Sequence, residues 1–413
     1  MDNKSSKLEY FVICILLMAV VATGALYMLH KRDNKVSNLN NDNKDVETNN
    51  KQPDKKDPVV NNTDLDFDFL RFDYNNNNVF YSPLSIREAL FLVQEGADGN
   101  TLEQLNNVLN RYKHYSVKNV DKKIGISNAI FIKDEFKDNV LDSYINKLVN
   151  DYKSDVFFDD MSSPDKVNNY VKEKTFDMIP KLFEDISTSR VVLVNALAID
   201  LDWKYKFDQS NTRDSEFNNG NKLNVPTMHD TFDHISDIKY YKSDDLTILS
   251  LPLREVEGTN LEYIVVMPND LDSLVKSVND TSFKDSLDNL KSGKDVSLAI
   301  SMPIYKNDFD LNFKSDLEKL GLTDMFKSDA ANFRKMASVD LFINDAKHKA
   351  HIEVSEDGVK AAAVTGFAFE DSAMIQEEKP IVININKPHM VVIRDKDTED
   401  IWFVGTVFNP LGE

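Results

Sequence analysis

EDGVKAAAVTGFAFEDSAMIQEEKP, residues 356–380, joins two strand-like runs and contains neither helix caps nor a hairpin turn. A connection of this length inside a domain is usually functional or disordered. Its first half alternates with period two, which predicts a latent strand with one face suited to burial. The alternating positions are Val359, Ala361, Ala363, Thr365, Phe367 and Phe369. An ordinary buried strand is the alternative, but consecutive alanines are poor strand formers, and small side chains suit a segment that slides between two strands.

The elements around this stretch predict an α+β fold with mainly antiparallel sheets. Three helices are predicted first: residues 82–95 capped by Ser82, a helix with Thr101 and Gln104 as its capping box, and residues 162–179 capped by Ser163. Strands are predicted later, at 191–201, 261–268, 296–303, 381–385, 389–393 and 401–408. Helices and strands in separate blocks argue against a doubly wound parallel sheet.

Composition and missing motifs exclude several classes of protein. The 413 residues carry a formal charge of -20, which argues against nucleic acid as a partner and against a polyanionic activator. Cys14 is the only cysteine, so a disulfide framework is excluded. No catalytic or nucleotide-binding motif is present, and we expect neither an enzyme nor a cofactor. His348 and His351 stand at odd spacing in a strand-like segment, so their rings should face opposite sides and share no metal.

The N-terminal region differs from the rest of the chain. After a short segment, residues 1–9, the run YFVICILLMAVVATGALYML at 10–29 has no charge and is long enough to cross a bilayer. A cleavable signal peptide is the alternative, because Ala22, Gly24 and Ala25 are small enough for a cleavage site. Basic residues flank the run on both sides, so they do not decide its orientation. Residues 30–64 predict a disordered polar tether, and 65–413 a single domain.

Residues 65–413 resemble a serpin, on motifs that occur in the order typical of that family. The motifs are NVFYSPLSI (78–86), GADGNT (96–101), VVLVNALAIDLDW (191–203), HKAHIEVSEDGVKAAA (348–363), INKPHMVVIRD (385–395) and FVGTVFNP (403–410). The resemblance implies a serpin fold, in which helices pack on mainly antiparallel sheets. It also implies an exposed reactive-centre loop at about 357–380.

The same resemblance assigns roles to individual residues. It implies a shutter beneath the opening of the central sheet, formed by Ser82, Ser85, Asn195 and His348, and a breach at Trp203. It implies a loop hinge formed by Glu356, Gly358, Val359, Lys360, Ala361, Ala362, Ala363, Val364 and Thr365. The chain departs from the family at Val359, usually Thr or Ser, at Lys360, usually Glu, and at His389, usually Phe. None of these changes places proline or a charge on the inserting face.

The resemblance implies suicide inhibition of a serine or cysteine protease, with the cleaved loop entering the sheet as a new strand. The expected reactive bond is Ser372–Ala373, which favours elastase-like or subtilisin-like targets. Asp371–Ser372 is the alternative and favours an Asp-directed protease of the caspase or granzyme kind, and Met374 is a third candidate. A non-inhibitory serpin-fold binding protein is the alternative function. We expect a monomer, tethered with its domain outside the cytoplasm or secreted after cleavage of a signal peptide.

Overall fold

The computed structural model describes residues 64–310, 313–359 and 379–412. Its helices in chain order are α1 (Leu65–Asp73), α2 (Pro83–Gly96), α3 (Gly99–Leu109), α4 (Asp142–Asp151), α5 (Asp165–Lys174), α6 (Leu271–Ser277), α7 (Asp280–Leu287) and α8 (Phe313–Lys319). Four short 3₁₀ turns cover Asp134–Asn139, Gln209–Asn211, Gly293–Asp295 and Asp324–Phe326. None of the helices in these described ranges is both long and apolar enough to cross a membrane. The predicted anchor at 10–29 lies outside the described residues.

Nineteen strands are formed by the described residues. They are β1 (Val79–Tyr81), β2 (Ile124–Lys133), β3 (Asp155–Asp159), β4 (Val191–Ile199), β5 (Leu201–Asp202), β6 (Arg213–Asn218), β7 (Lys222–Asp233), β8 (Lys239–Lys242), β9 (Leu246–Pro252), β10 (Leu261–Pro268), β11 (Lys291–Ser292), β12 (Ser297–Pro303), β13 (Tyr305–Asp310), β14 (Asp345–Lys347), β15 (Lys349–Val354), β16 (Gly358–Val359), β17 (Ile381–Asn384), β18 (His389–Asp395) and β19 (Ile401–Val407). The six predicted strands are all confirmed, with ends that differ by one or two residues.

The sheets are mainly antiparallel, as predicted. A seven-stranded sheet has the order β1-β19-β18-β10-β9-β8-β11, and a four-stranded sheet has the order β17-β12-β7-β6. Two further four-stranded sheets have the orders β14-β4-β2-β3 and β13-β15-β16-β5. The chain runs directly from one of these sheets to the other twice, because β4 leads into β5 and β14 leads into β15. We call these two together the split sheet. Three pairings are parallel, β2 with β3, β4 with β14, and β12 with β17.

The predicted start of α2 is confirmed, and its cap places residues of the candidate site. Ser82 is extended and its Oγ accepts a hydrogen bond from the Ser85 amide at 3.1 Å, while Pro83 occupies the first turn. The helix is buried along most of its length, since ten of its apolar and small residues lie in the core. The cap therefore fixes both serine side chains at a buried helix end.

Two details of the helix predictions are wrong. The helix near Thr101 begins at Gly99, and Thr101 with Gln104 forms no capping box. Instead the Thr101 hydroxyl accepts from the backbone amide of Asn332 at 3.0 Å, and the Gln104 side-chain carbonyl accepts from the backbone amide of Thr323 at 3.1 Å. Both side chains thus form hydrogen bonds with residues distant in the sequence and not with the first turn of their own helix. The helix predicted over 162–179 is shorter, Asp165–Lys174, because residues 176 and 177 adopt positive φ and end it. Its N-cap is Pro164, so the predicted cap at Ser163 is wrong as well.

Candidate functional site

The split sheet is joined at its two ends and separated between them. At one end β14 pairs in parallel with β4, from Asp345 opposite Val192 to Lys347 opposite Val194. At the other end β16 lies between β15 and β5. Within the described ranges, no ladder joins residues 195–199 to residues 348–354. The facing edges of β4 and β15 are therefore the place where a further strand would find backbone partners.

Four residues that the resemblance assigns to the shutter lie in one hydrogen-bonded group at this separation. The Ser82 amide donates to His348 Nε2 at 3.0 Å, and the Ser85 hydroxyl donates to the Asn195 side-chain carbonyl. All four side chains are at most 2% exposed. His348 lies between β14 and β15, and Asn195 lies on β4, so the start of α2 holds both edges of the split sheet.

Asn128 is a fifth member of this group that sequence reasoning missed. It lies opposite Asn195 in the β2–β4 register, and the Asn195 side-chain amide donates to its Oδ1. The backbone carbonyl of Asn128 accepts from the hydroxyl of Tyr170 on α5 at 3.4 Å. Only the register of β2 against β4 identifies this residue, and β2 was not predicted. We call Ser82, Ser85, Asn128, Asn195 and His348 the polar cluster.

The imidazole of His348 is neutral in this setting. Its Nε2 accepts a hydrogen bond from Ser82, so its proton is on Nδ1, which is buried without a hydrogen-bond partner. Burial lowers the pKa of His348 to about 3. The ring centroid lies 6.0 Å from that of Phe313 on α8, which packs beside the polar cluster.

Trp203 closes the end of the split sheet that contains β16. It is 1% exposed, and its ring meets Tyr263 edge-on with centroids 5.4 Å apart. Its indole N–H donates to the Ser355 carbonyl and its amide to the Asp357 carbonyl, both at 2.8 Å. The residue therefore holds the turn between β15 and β16 by two bonds.

The turn 355–357 is held by further contacts that sequence reasoning missed. Asp357 accepts from Lys206 Nζ at 2.7 Å, and Glu356 accepts from the Thr212 hydroxyl at 2.5 Å. The Glu356 carbonyl also accepts from the amide of Phe207 at 3.1 Å. The hydrogen bond and the neighbouring Asp202 and Asp357 carboxylates raise the pKa of Lys206, which remains charged. No local sequence pattern indicates these partners, because they come from the segment after β5.

The first hinge residues already lie in the sheet. Val359 is opposite Val354 of β15 and Leu201 of β5, and it is 2% exposed. Gly358 is opposite Asp202, and a Cβ at Gly358 would lie 2.1 Å from the Leu201 carbonyl oxygen. Only glycine therefore fits at position 358. The hinge residues Lys360, Ala361, Ala362, Ala363, Val364 and Thr365, and the reactive-bond candidates Asp371, Ser372, Ala373 and Met374, lie outside the described residues.

His351 and His389 belong to no metal site among the described residues. His351 is on β15, where its Nδ1 lies 2.7 Å from Asp308, while His348 is buried in the polar cluster. Among the described residues, no group of three or more possible ligands could hold a metal ion. His389 is fully buried at the start of β18, where its Nδ1 donates to the Lys387 carbonyl at 2.9 Å. Burial lowers the pKa of His389 to about 4.

Comparisons with known proteins agree with this architecture. A family model described as serpin (serine protease inhibitor) matches residues 61–410. A protein named serine protease inhibitor, from Cyanea capillata, is 29% identical over 362 residues, which are 81% of this chain and 92% of that protein. The leukocyte elastase inhibitor of Xenopus tropicalis is 27% identical over 384 residues, 84% of this chain and 98% of that protein.

The fold is also that of a solved serpin structure. The thermophilic serpin tengpin in its native state superimposes with a TM-score of 0.71 at 24% identity, covering 88% of this chain and 96% of its own. The family model extends over more than half of the sequence and over almost all of the folded part. The chain therefore belongs to the serpin family of serine protease inhibitors.

Proposed function

We propose that this protein is a suicide inhibitor that traps a serine or cysteine protease by inserting its cleaved reactive-centre loop into the split sheet. The observation that carries the proposal is the separation of β4 from β15, with Gly358 and Val359 already placed at one end of it. β16 runs antiparallel to both β15 and β5, and its direction from Gly358 to Val359 points along the facing edges. Insertion would therefore lengthen β16, which already pairs with β15 and β5.

The chemical step is supplied by the target protease. Its nucleophile attacks the carbonyl carbon of the reactive-bond residue, Ser372 in the first reading, and forms an ester or thioester. The peptide C–N bond breaks, and the new amino group at Ala373 takes the proton. The loop N-terminal to the cut is then free to enter the sheet with the acyl-enzyme attached. Hydrolysis of the acyl bond would release a cleaved serpin, so inhibition requires insertion to be faster than that hydrolysis.

The hydrogen bonds of the polar cluster support this proposal. Ser82 bonds to His348 at one edge of the separation, and Ser85 bonds to Asn195 at the other. When the edges move apart, either bond can break while the serines remain on the end of α2. Exchange of hydrogen-bond partners within a buried group costs less than leaving one group without a partner. We propose that the cluster holds the edges together before cleavage and exchanges partners during insertion.

A covalent complex is the direct test of this function. We expect an elastase-like or subtilisin-like protease to form a complex that survives denaturing electrophoresis, with a released C-terminal fragment that begins at Ala373. The Xenopus relative is named an elastase inhibitor, which supports this choice. A fragment that begins at Ser372, obtained with an Asp-directed protease, would select the alternative bond.

The same experiment distinguishes a protease inhibitor from a non-inhibitory serpin-fold binding protein. Complete cleavage of the loop by every protease class tested, without any covalent complex, would reject the inhibitory function. A protease mutated at its nucleophile is the control, because it can bind the loop and cannot form the ester. The non-inhibitory serpin-fold binding protein would then be the function that remains.

We further propose that residues 10–29 retain the protein in a membrane as a monomer, with the serpin domain outside the cytoplasm. The motivating observation is the uncharged run of twenty residues followed by a polar tether. We expect the full chain in the membrane fraction, and its domain to be digested by protease added to intact cells. A soluble mature chain that begins near residue 25 would instead establish the secreted form, and a protected domain would reverse the orientation.

A further inference from the structure

The turn between α6 and α7 contains an acceptor sequence for N-linked glycosylation. Asn279, Asp280 and Thr281 match the pattern Asn-x-Thr, and the middle residue is not proline. No other asparagine between residues 64 and 413 is followed, two positions later, by serine or threonine. An attached oligosaccharide is bulky, so the folded protein must leave its asparagine at the surface. The geometry of this turn therefore decides whether an oligosaccharide fits there.

The side chain of Asn279 is exposed, and the fold relies mainly on one of its two polar atoms. Its Oδ1 accepts from the Ser282 amide at 3.0 Å as the N-cap of α7, and the Ser282 hydroxyl accepts from the Asn279 amide at 2.9 Å. Its Nδ2 donates to the Ser277 carbonyl at 3.4 Å, which is a long hydrogen bond. A glycosylated asparagine keeps Oδ1 and one hydrogen on Nδ2, so the cap and this contact both survive the modification.

A polar cavity of about 620 Å³, open to solvent, lies beside Asn279. Exposed side chains that line it, those of Asn107, Asn110 and Lys276, carry amide and ammonium groups. Sugar hydroxyls both donate and accept hydrogen bonds, so this lining suits a carbohydrate better than an apolar molecule. The first sugars attached to Asn279 would therefore find hydrogen-bond partners here without displacing any part of the core.

We propose that Asn279 carries an N-linked oligosaccharide. The inference rests on the proposed location of the serpin domain outside the cytoplasm, because this modification belongs to proteins of the secretory pathway. In the transfer, Asn279 Nδ2 attacks the C1 atom of the first sugar of an oligosaccharide linked to a lipid diphosphate. A C–N bond forms, the C–O bond to the diphosphate breaks, the lipid diphosphate leaves with the electron pair, and Nδ2 loses one proton. Thr281 supplies the hydroxyl that the acceptor sequence requires.

A second acceptor sequence begins at Asn61 and ends directly before Asp64. The Asp64 carboxylate accepts from the amide of Asp280 at 2.7 Å, so the start of the described domain lies beside the Asn279 turn. Asn61 itself lies outside the described residues. It is therefore replaced by glutamine in every chain of the experiment, so that a remaining glycan reports on Asn279.

Synthesis of the full Asn61→Gln chain in the presence of endoplasmic-reticulum microsomes tests the proposal. We expect this chain to migrate more slowly in denaturing electrophoresis and to regain its unmodified mobility after endoglycosidase digestion. Addition of Asn279→Gln should abolish that shift. Asn289→Gln is the matched control, because this asparagine is exposed just beyond α7 and belongs to no acceptor sequence; its shift should remain. A shift that persists in Asn279→Gln would overturn the proposal and assign the glycan to the acceptor sequence at Asn3.

Substitutions at Thr281 keep the test decisive if loss of the Asn279 cap disturbs folding. Thr281 is exposed, and the capping box is formed by Asn279 and Ser282 without it. Thr281→Val should abolish the shift and preserve the cap, whereas Thr281→Ser should still be modified, because serine keeps the hydroxyl. An undiminished shift in Thr281→Val would overturn the proposal.

Protease added outside the same microsomes distinguishes failure of this proposal from failure of the proposed location. A protected domain without any shift that depends on Asn279 would overturn the glycosylation site and leave the location standing. A digested domain without a shift would overturn the location, and the glycosylation site with it. Trapping of a protease is measured separately on the reactive-centre loop, so neither result would reject the inhibitory function.

Discussion

Replacement of Gly358 by valine is expected to convert the protein from an inhibitor into a substrate. A Cβ at this position would lie 2.1 Å from the Leu201 carbonyl oxygen and 2.6 Å from the Asp202 Cα. Both atoms belong to the backbone of β5, so the neighbour cannot move aside as a flexible side chain would. The variant should therefore keep β16 out of the sheet and delay insertion until the acyl bond has hydrolysed.

We expect roughly a 5- to 150-fold decrease in the fraction of protease trapped per loop cleaved, from overpacking of about 1–3 kcal/mol. The measurement is the ratio of covalent complex to cleaved serpin at a fixed excess of inhibitor. Gly358→Ala should also reduce trapping, because alanine already carries the Cβ atom that clashes. This variant therefore distinguishes the Cβ clash from an effect of the larger valine side chain. Val359→Ala is the matched control at the neighbouring position, and it should trap protease nearly as the wild type does. Equal trapping by wild type and Gly358→Val would show that β16 does not need to lie in the sheet.

The sequence predicted the fold class and the main strands because their signals are local. The Ser82 cap and the apolar runs of β4, β10 and β19 depend on residues that are close in the chain. The capping box at Thr101 was wrong because a threonine and a glutamine can satisfy distant amides as well as near ones. Local patterns cannot distinguish these two outcomes.

The candidate site could be predicted only in part, for a similar reason. Resemblance to the family named Ser82, Ser85, Asn195 and His348, and the structure brings these four together. The resemblance did not identify Asn128, which joins the polar cluster because β2 pairs with β4 in this register. It also did not identify the ion pair between Lys206 and Asp357. Those contacts depend on strand register and on the path of the chain after β5, which no single motif encodes.

The hinge contacts support the proposed insertion, because they fix the start of the segment that would enter the sheet. Trp203 and Lys206 fix the turn at 355–357, which fixes Gly358 and Val359 between two strands. Beyond them, the edges of β4 and β15 offer unpaired backbone groups, and the polar cluster holds both edges to α2. Under the proposed mechanism, cleavage of the loop frees the residues after Val359 to pair with those edges.

Cleavage of the loop between Gly366 and Ala373, followed by a thermal melt, is the most direct test of loop insertion. A nick ordinarily loosens a protein, because it creates chain ends and releases a loop. Here the freed segment should pair with β4 on one side and β15 on the other. About ten new backbone hydrogen bonds at about 1 kcal/mol each would outweigh the loosening.

The melt is made on intact and nicked protein at one concentration, with Gly358→Val treated in the same way as the control. We expect the nicked wild type to melt more than about 10 °C above the intact protein, whereas the nicked variant should show little or no rise. A nicked wild type that melts at or below the midpoint of the intact protein would contradict insertion, and with it the inhibitory mechanism.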